Sequence, residues 1–156
     1  MKNGILIIFC FVLLQSYAQC DSISPLNKSV IQYVDSKVNK KVGRGECWDL
    51  AKYALEDVGA KWDHKFEFGR HLKSNECMMP GDVIQFTKVK IKYKEGKKTL
   101  YITMDQHTAI IYKVISSDEI QLIHQNTAFS GKKVGISTIK FSTITTGKYD
   151  IYRPQK

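Results

Sequence analysis

The chain has 156 residues, 43% of them hydrophobic and 25% charged, with a formal net charge of +9. That length holds one core rather than two, and the apolar share excludes a disordered chain. No apolar stretch reaches the roughly 18 residues of a spanning helix, and no fixed period runs through the sequence to mark a repeat, coiled-coil or collagen architecture.

The first element is an address. Met1-Lys2-Asn3 precedes an unbroken apolar run over 5–14, and Ser16 and Ala18 are the small residues of a cut after Ala18. This is the pattern of a secretory signal peptide over 1–18, too short for an anchor. The expectation is a secreted, extracellular protein with a single domain over 19–156 and no membrane span. A lipid anchor on Cys20 fits less well, because Tyr17 and Gln19 break its small-residue motif. The cut removes Lys2 and Cys10, leaving a formal charge of +8 and the cysteines Cys20, Cys47 and Cys77. An odd number in an oxidising compartment means one pair and one thiol, or a partner outside the chain.

Ser24-Pro25 reads as a helix N-cap followed by proline at the first helical position. Leu26, Val30, Val34 and Val38 recur behind it at helical spacing, which predicts a helix over 25–40. Asn27-Lys28-Ser29 is a glycosylation sequon, to be used at Asn27 in a eukaryotic host. Gly43-Arg44-Gly45 ends that segment. Cys47, Leu50, Ala51, Ala54, Leu55 and Val58 then define a second, mostly buried helix ending at Gly59. Residues 60–81 read as a loop rich in charge and aromatics. After Pro80-Gly81-Asp82 the period becomes two, with strands over 83–86, 89–93, 100–104, 107–114, 119–126 and 149–153, and a turn at 95–98. Two helices followed by an antiparallel sheet is an α+β layout.

Three places carry candidate chemistry. Cys47, in the first turn of its helix, faces unsatisfied N–H groups and the positive end of the dipole, which favour thiolate and lower its pKa. The alternatives are a disulfide or an inert buried thiol. His107 opens a strand after a polar loop, where it can take a thiol proton and return it to a leaving amine. In Ile120-Gln121-Leu122-Ile123-His124-Gln125-Asn126, alternation puts His124 and Asn126 on one face with Ile120 and Leu122. Polar groups closing an apolar face need partners, and orienting the first imidazole is one use of them. A turn satisfied by backbone is the other.

Gly-Glu-Cys-Trp-Asp-Leu-Ala at 45–51, Pro-Gly-Asp-Val-Ile-Gln-Phe at 80–86, His-Thr-Ala-Ile-Ile at 107–111 and His-Gln-Asn at 124–126 stand in the order found in NlpC and CHAP amidases. The sequence resembles these papain-like cysteine enzymes, which cut amide bonds in bacterial peptidoglycan. More narrowly it resembles the amidase effectors of type VI secretion systems and the domesticated members that arthropods acquired from bacteria. The resemblance runs over 42–154. It implies Cys47 as nucleophile, His107 as general base and His124 or Asn126 as orienter. Many CHAP enzymes begin the third motif with Glu, where this chain has His124. Trp48 and Gln125 would line the cleft, with a core position as the alternative for Trp48. Asp82 would fix the start of a central strand. By giving Cys47 to chemistry, the resemblance leaves Cys20 and Cys77 to form a bridge adding ~2–4 kcal/mol of stability. The activity implied is a peptidoglycan amidase or endopeptidase with an antibacterial role, acting as a monomer. Its bond would be the diaminopimelate–D-alanine cross-link or the lysine counterpart.

Lysine outnumbers arginine 21 to 3, which is poor for bidentate phosphate or base recognition, and no nucleic-acid-binding motif accompanies the charge. Lys88, Lys90, Lys92 and Lys94 read as a charged, exposed edge strand or as an attraction to anionic bacterial surface polymers that salt would weaken. Neither an HExxH nor a CxxC spacing occurs, so no metal and no cofactor are expected. Two other functions compete with the amidase: a basic cell-wall-binding protein without catalysis, and a cysteine protease acting on proteins.

Overall fold

Helix α1, Pro25–Asp35, starts as its sequence dictates. Ser24 Oγ accepts from the Asn27 N–H at 3.0 Å and proline occupies the first turn. These details come from a computed structural model that describes Cys20 and residues 22–156. The expected leader over 1–18 lies outside the described residues. Val30 and Val34, four residues apart, are fully buried on the inner face of α1. The helix stops short of the expected Lys40 because other partners claim the chain. Asn39 turns left-handed (φ 63°), its N–H donates to Val134 O at 2.9 Å, and Val134 N–H donates to Lys40 O at 2.9 Å.

Helix α2, Cys47–Asp57, is entered through two left-handed glycines, Gly43 (φ 56°) and Gly45 (φ 89°). A Cβ on Gly43 would stand 2.7 Å from the Tyr53 ring and 2.9 Å from Asp49 Oδ2, so this entry needs glycine for space as well as for φ. Asp49, buried in the first turn of α2, reaches back to hold the entry. Its Oδ2 accepts from the N–H of Arg44 at 2.7 Å and of Glu46 at 3.3 Å, and its Oδ1 from Arg44 Nη2 at 3.0 Å.

The helices pack on one face of a six-stranded antiparallel sheet made of β1 (Arg70–His71), β2 (Val83–Glu95), β3 (Lys98–Val114), β4 (Glu119–His124), β5 (Gly135–Lys140) and β6 (Ile144–Arg153), in the order β1-β6-β2-β3-β4-β5. A short 3-10 turn, Phe141–Thr143, leads into β6. Strands β1 and β5 escaped the sequence pattern. β1 has only two residues, and β5 lies in the polar stretch Gly-Ile-Ser-Thr-Ile-Lys.

The central strands are apolar on both faces. Val83, Ile110 and Ile123 meet Val30, Val34, Leu50, Ala51, Ala54 and Leu55 on the helix side. Ile84, Phe86, Ala109, Ile111, Ile120 and Leu122 form a second layer on the reverse side, with Phe141 and Ile144 against it. The lysine row, expected on an edge strand, lies on one only in its second half, because β6 flanks β2 as far as Ile91 and only β3 accompanies Lys92 and Lys94. Over its first part β2 sits between β6 and β3, and its lysines are exposed because the strand runs out past the core.

At the head of β2 stands Asp82, fully buried. Its carboxylate accepts from Arg153 Nε (3.0 Å) and Nη2 (2.8 Å), Asn27 Nδ2 (2.9 Å) and Met79 N (3.0 Å). One carboxylate thus ties α1, the turn before β2 and the end of β6. Asn27 has no exposed surface, and its amide also donates to Pro80 O at 3.0 Å. A glycan on Nδ2 would break both bonds, so the sequon is corrected to a structural asparagine. Cys20 and Cys77 form a disulfide that clips the N-terminal segment to the loop before the sheet, with Cα atoms 5.7 Å apart.

Candidate active site

Cys47 is the first residue of α2, the free thiol among the described cysteines, and half-buried. Its sulfur is placed by a gap in the sheet. The register that pairs Ile110 with Ile123 would carry Gln125 opposite Thr108, but β4 ends at His124 and the chain turns away. The Thr108 N–H, left without a strand partner on that side, is directed at the Cys47 sulfur, as are the N–H groups of Trp48 and of Cys47 itself. Thr108 follows His107 in the chain, so the Cys47 sulfur lies by the backbone of the β3 end that carries this imidazole, although no hydrogen bond joins the two side chains among the described residues.

The sequence expectation for the thiol is corrected in one respect. Burial pushes the Cys47 pKa up, and the donors from Thr108 and Trp48 offset only part of that; the Glu46 carboxylate adds to the rise. Cys47 therefore rests as a neutral thiol, not as the thiolate expected from a helix start.

Behind it lies a chain of three side chains. His107 Nε2 is 2.7 Å from His124 Nδ1, and His124 Nε2 is 2.8 Å from Ser137 Oγ. Both rings are buried, at 7% and 6% exposure. Phe86 stacks against His107, with centroids 6.5 Å apart, and Phe129 lies over His124 at 5.6 Å. Desolvation lowers the His107 pKa to about 4. The same cause, with the neighbouring His107 charge added, lowers that of His124 to about 3.

Two neutral rings sharing one hydrogen bond fix each other's tautomers. For His107 Nδ1 to offer a lone pair, Nε2 must carry the proton and donate it to His124 Nδ1. His124 then carries its proton on Nε2, facing Ser137. Among the described residues His107 Nδ1 has no hydrogen-bond partner, which leaves its lone pair open to a proton donor.

The neighbouring candidates separate. Gln125, expected to line the cleft, is fully buried and braces the site instead. Its Nε2 donates to Val42 O (2.9 Å) and Glu46 O (2.8 Å), and its Oε1 accepts from Val42 N (3.1 Å). Asn126 does not reach the imidazoles. It turns left-handed (φ 62°) and donates from Nδ2 to Glu46 Oε2 at 2.8 Å, while Lys132 Nζ lies 3.2 Å from Glu46 Oε1. Of the two expected orienters, His124 is the one bonded to His107. Trp48 packs against Trp62 at 5.5 Å and, with Arg44, His64, Lys65 and Phe66, lines an open groove of about 370 Å³ beside Cys47.

Four participants escaped the sequence reading: Ser137, Glu46, Thr108 and Gln85, whose Oε1 accepts from Thr108 Oγ1 at 2.6 Å. Only Gln85 carried a signal, an amide inside the apolar run Val-Ile-Gln-Phe.

No curated protein matches the chain in sequence. Among the crystal structures similar to it are two of Ly7917. Ly7917 shares 15% identity at a TM-score of 0.48, over 81% of this chain and 62% of its own. Ly7917 with the hydrolyzing product of MDP shares 16% identity at 0.50, over 82% and 63%. The second likeness is one of fold, and this chain spans about three fifths of Ly7917's length. Residues 23–156 match the family model for the AIM3/BBC1 cysteine proteinase-fold domain, and the chain belongs to that family.

Proposed function

We propose that the protein is a secreted cysteine amidase that hydrolyses peptide bonds of bacterial peptidoglycan, with an antibacterial role. The observation that carries the reading is the placement of the Cys47 thiol on the Thr108 N–H, next in the chain to a His107 imidazole fixed by His124 and Ser137. The substrate class draws support from Ly7917, whose structure holds the hydrolyzing product of MDP. Secretion draws support from the Cys20–Cys77 bridge, which persists in oxidising compartments.

In this reading His107 Nδ1 accepts the thiol proton as Sγ attacks the carbonyl carbon, because thiol and imidazole both rest neutral. Charge then appears on the carbonyl oxygen and on the imidazolium together. The first is met by backbone N–H at the α2 start, the second by the hydrogen bond to His124. His107 returns the proton to the leaving amine, which departs and leaves a thioester on Cys47. Water, deprotonated by His107, hydrolyses that ester. The bond proposed is the diaminopimelate–D-alanine cross-link.

Sacculi from a diaminopimelate-type and a lysine-type bacterium, digested with the protein and with Cys47→Ala and resolved by mass spectrometry, test this. Loss of cross-linked dimers with the active form alone is expected; unchanged muropeptides from both walls overturn it. The family's cysteine-proteinase description favours a second reading, cleavage of proteins, which turnover of denatured casein without muropeptide change would establish.

A further inference from the structure

Away from the cleft, β2 and β3 continue as a bare ribbon. β6 accompanies β2 only as far as Ile91 opposite Ile144, whereas β2 and β3 stay paired to Glu95 opposite Lys98. One face of the ribbon carries Lys90, Lys92 and Lys94 opposite Thr103, Tyr101 and Thr99. The other carries Ile91 and Tyr93 opposite Ile102 and Leu100, and Lys97 lies in the turn. The large side chains near the tip are open to water: Tyr101 is 51% exposed, Ile102 47% and Tyr93 40%. Ion pairs of lysine among the described residues involve Lys132, Lys140 and Lys148, and none of the ribbon lysines. Lys90 Nζ lies 4.5 Å from the Tyr101 ring centre.

These features select a partner. Six lysines between 88 and 98, without ion-pair partners among the described residues, repel one another, and a dense anionic surface relieves that repulsion. Charge alone would accept any polyanion. Ile102, Tyr93 and Leu100, however, gain nothing from a hydrated polymer and gain when they leave water for an acyl boundary. Tyrosines, apolar in body and polar at the tip, suit the headgroup level. Only a lipid surface supplies both environments.

We propose that the distal β2–β3 hairpin docks the protein on an anionic lipid bilayer, its lysines among the headgroups and Tyr93 and Ile102 at the acyl boundary. His107 lies on β3 ten residues from the turn, which at the strand rise holds the cleft about 30 Å from the docked tip. The inference stands apart from the amidase reading, since it uses no residue of the cleft.

The full chain, with its disulfide intact, is sedimented with vesicles of equal parts phosphatidylglycerol and phosphatidylcholine, and with phosphatidylcholine alone. Binding to the anionic vesicles, weakened by salt, is expected. The combined variant Lys92→Gln, Lys94→Gln, Lys97→Gln, Lys98→Gln should lose at least about a hundredfold in partitioning, at about fivefold per lysine. Tyr93→Ser with Ile102→Ser should lose about tenfold or more. Both variants change exposed side chains, and unchanged thermal melting confirms their fold. If the lysine variant does not melt cooperatively, the second variant and the salt series decide. Absence of binding to anionic vesicles overturns the proposal. So does wild-type binding by either folded variant, or equal binding to soluble polyphosphate that Tyr93→Ser with Ile102→Ser leaves intact, which would assign a soluble polyanion instead. Cys47→Ala should bind vesicles fully, so failure of catalysis and failure of docking are read separately.

Discussion

Mild acid tests the buried imidazole pair directly. Unfolded, His107 and His124 have ordinary pKa values of 6.5; folded, desolvation holds them near 4 and 3. A folded pKa below the unfolded one means that the unfolded chain binds more protons in the interval, so stability is highest above pH 6.5 and declines as pH falls through it. Between pH 7 and pH 5 an unfolded imidazole goes from mostly neutral to mostly charged while the buried one stays neutral, a difference of about 2 kcal/mol per residue. The pair therefore removes about 3–4 kcal/mol over those two pH units, a large part of a typical domain's stability. The carboxylates held low by hydrogen bonds, such as Glu76 beside Arg70 with a pKa of about 2, make their losses in stronger acid and leave this window to the imidazoles. Urea unfolding at pH 5, 6 and 7 measures the slope. His124→Gln should reduce it by about half, and His107→Gln with His124→Gln should nearly abolish it. A wild-type slope no steeper than that of the double variant would refute the reasoning, because the rings would then not be buried in their neutral forms.

The remaining expectations concern the thiol, the carboxylate knot and the bridge. Because burial raises the Cys47 pKa, alkylation by iodoacetamide should be slow at pH 7 and accelerate up to and beyond pH 9; a rate already at its plateau at pH 7 would show a resting thiolate. Asp82→Asn strips the partner from Arg153 in a buried cluster and should cost about 3–5 kcal/mol, seen as a melting temperature lower by about 10 °C or more. Reducing Cys20–Cys77, which closes a loop over a sequence separation of 57, should lower stability in urea by about 4 kcal/mol on the loop-entropy relation. A loss below about 1 kcal/mol would mean that the N-terminal segment is held by α1 packing alone.

What was legible in the sequence is what short-range pattern controls. The start of α1 follows from Ser24-Pro25, the start of α2 from the glycines ahead of Cys47, and the start of β2 from Pro80-Gly81-Asp82. The shared face of His124 with Ile120 and Leu122 follows from strand alternation. The misreadings occur where long-range contacts decide. Alternation predicted Asn126 on the His124 face, but a left-handed turn at Asn126 breaks the period and sends the side chain to Glu46. The family resemblance implied Gln125 as a cleft residue, yet three bonds to Val42 and Glu46 backbone, some eighty positions away, bury it. Asn27 matched a sequon, but the buried Asp82 carboxylate that its amide serves is on another element. The thiol pKa was read from the helix terminus alone, whereas desolvation by the surrounding fold outweighs it.

The same burial that costs stability in acid defines how the site can work. An ion pair formed in advance would need a sulfur pKa below that of its imidazole, and here burial moves the two values apart, the thiol up and His107 down. In the proposed amidase the proton would therefore move only when a carbonyl is present to take charge from the sulfur. At that moment the N–H groups of Thr108, Trp48 and Cys47 favour the departing proton's counter-charge, and His124 receives the donation from His107. A neutral thiol is also slow to oxidise, since the thiolate is the reactive form. For the proposed secreted amidase that matters, because Cys47 would have to stay reduced where Cys20 and Cys77 stay bridged. Placing one cysteine in a half-buried helix start and the other two in a loop and the N-terminal segment gives a single fold both kinds of sulfur.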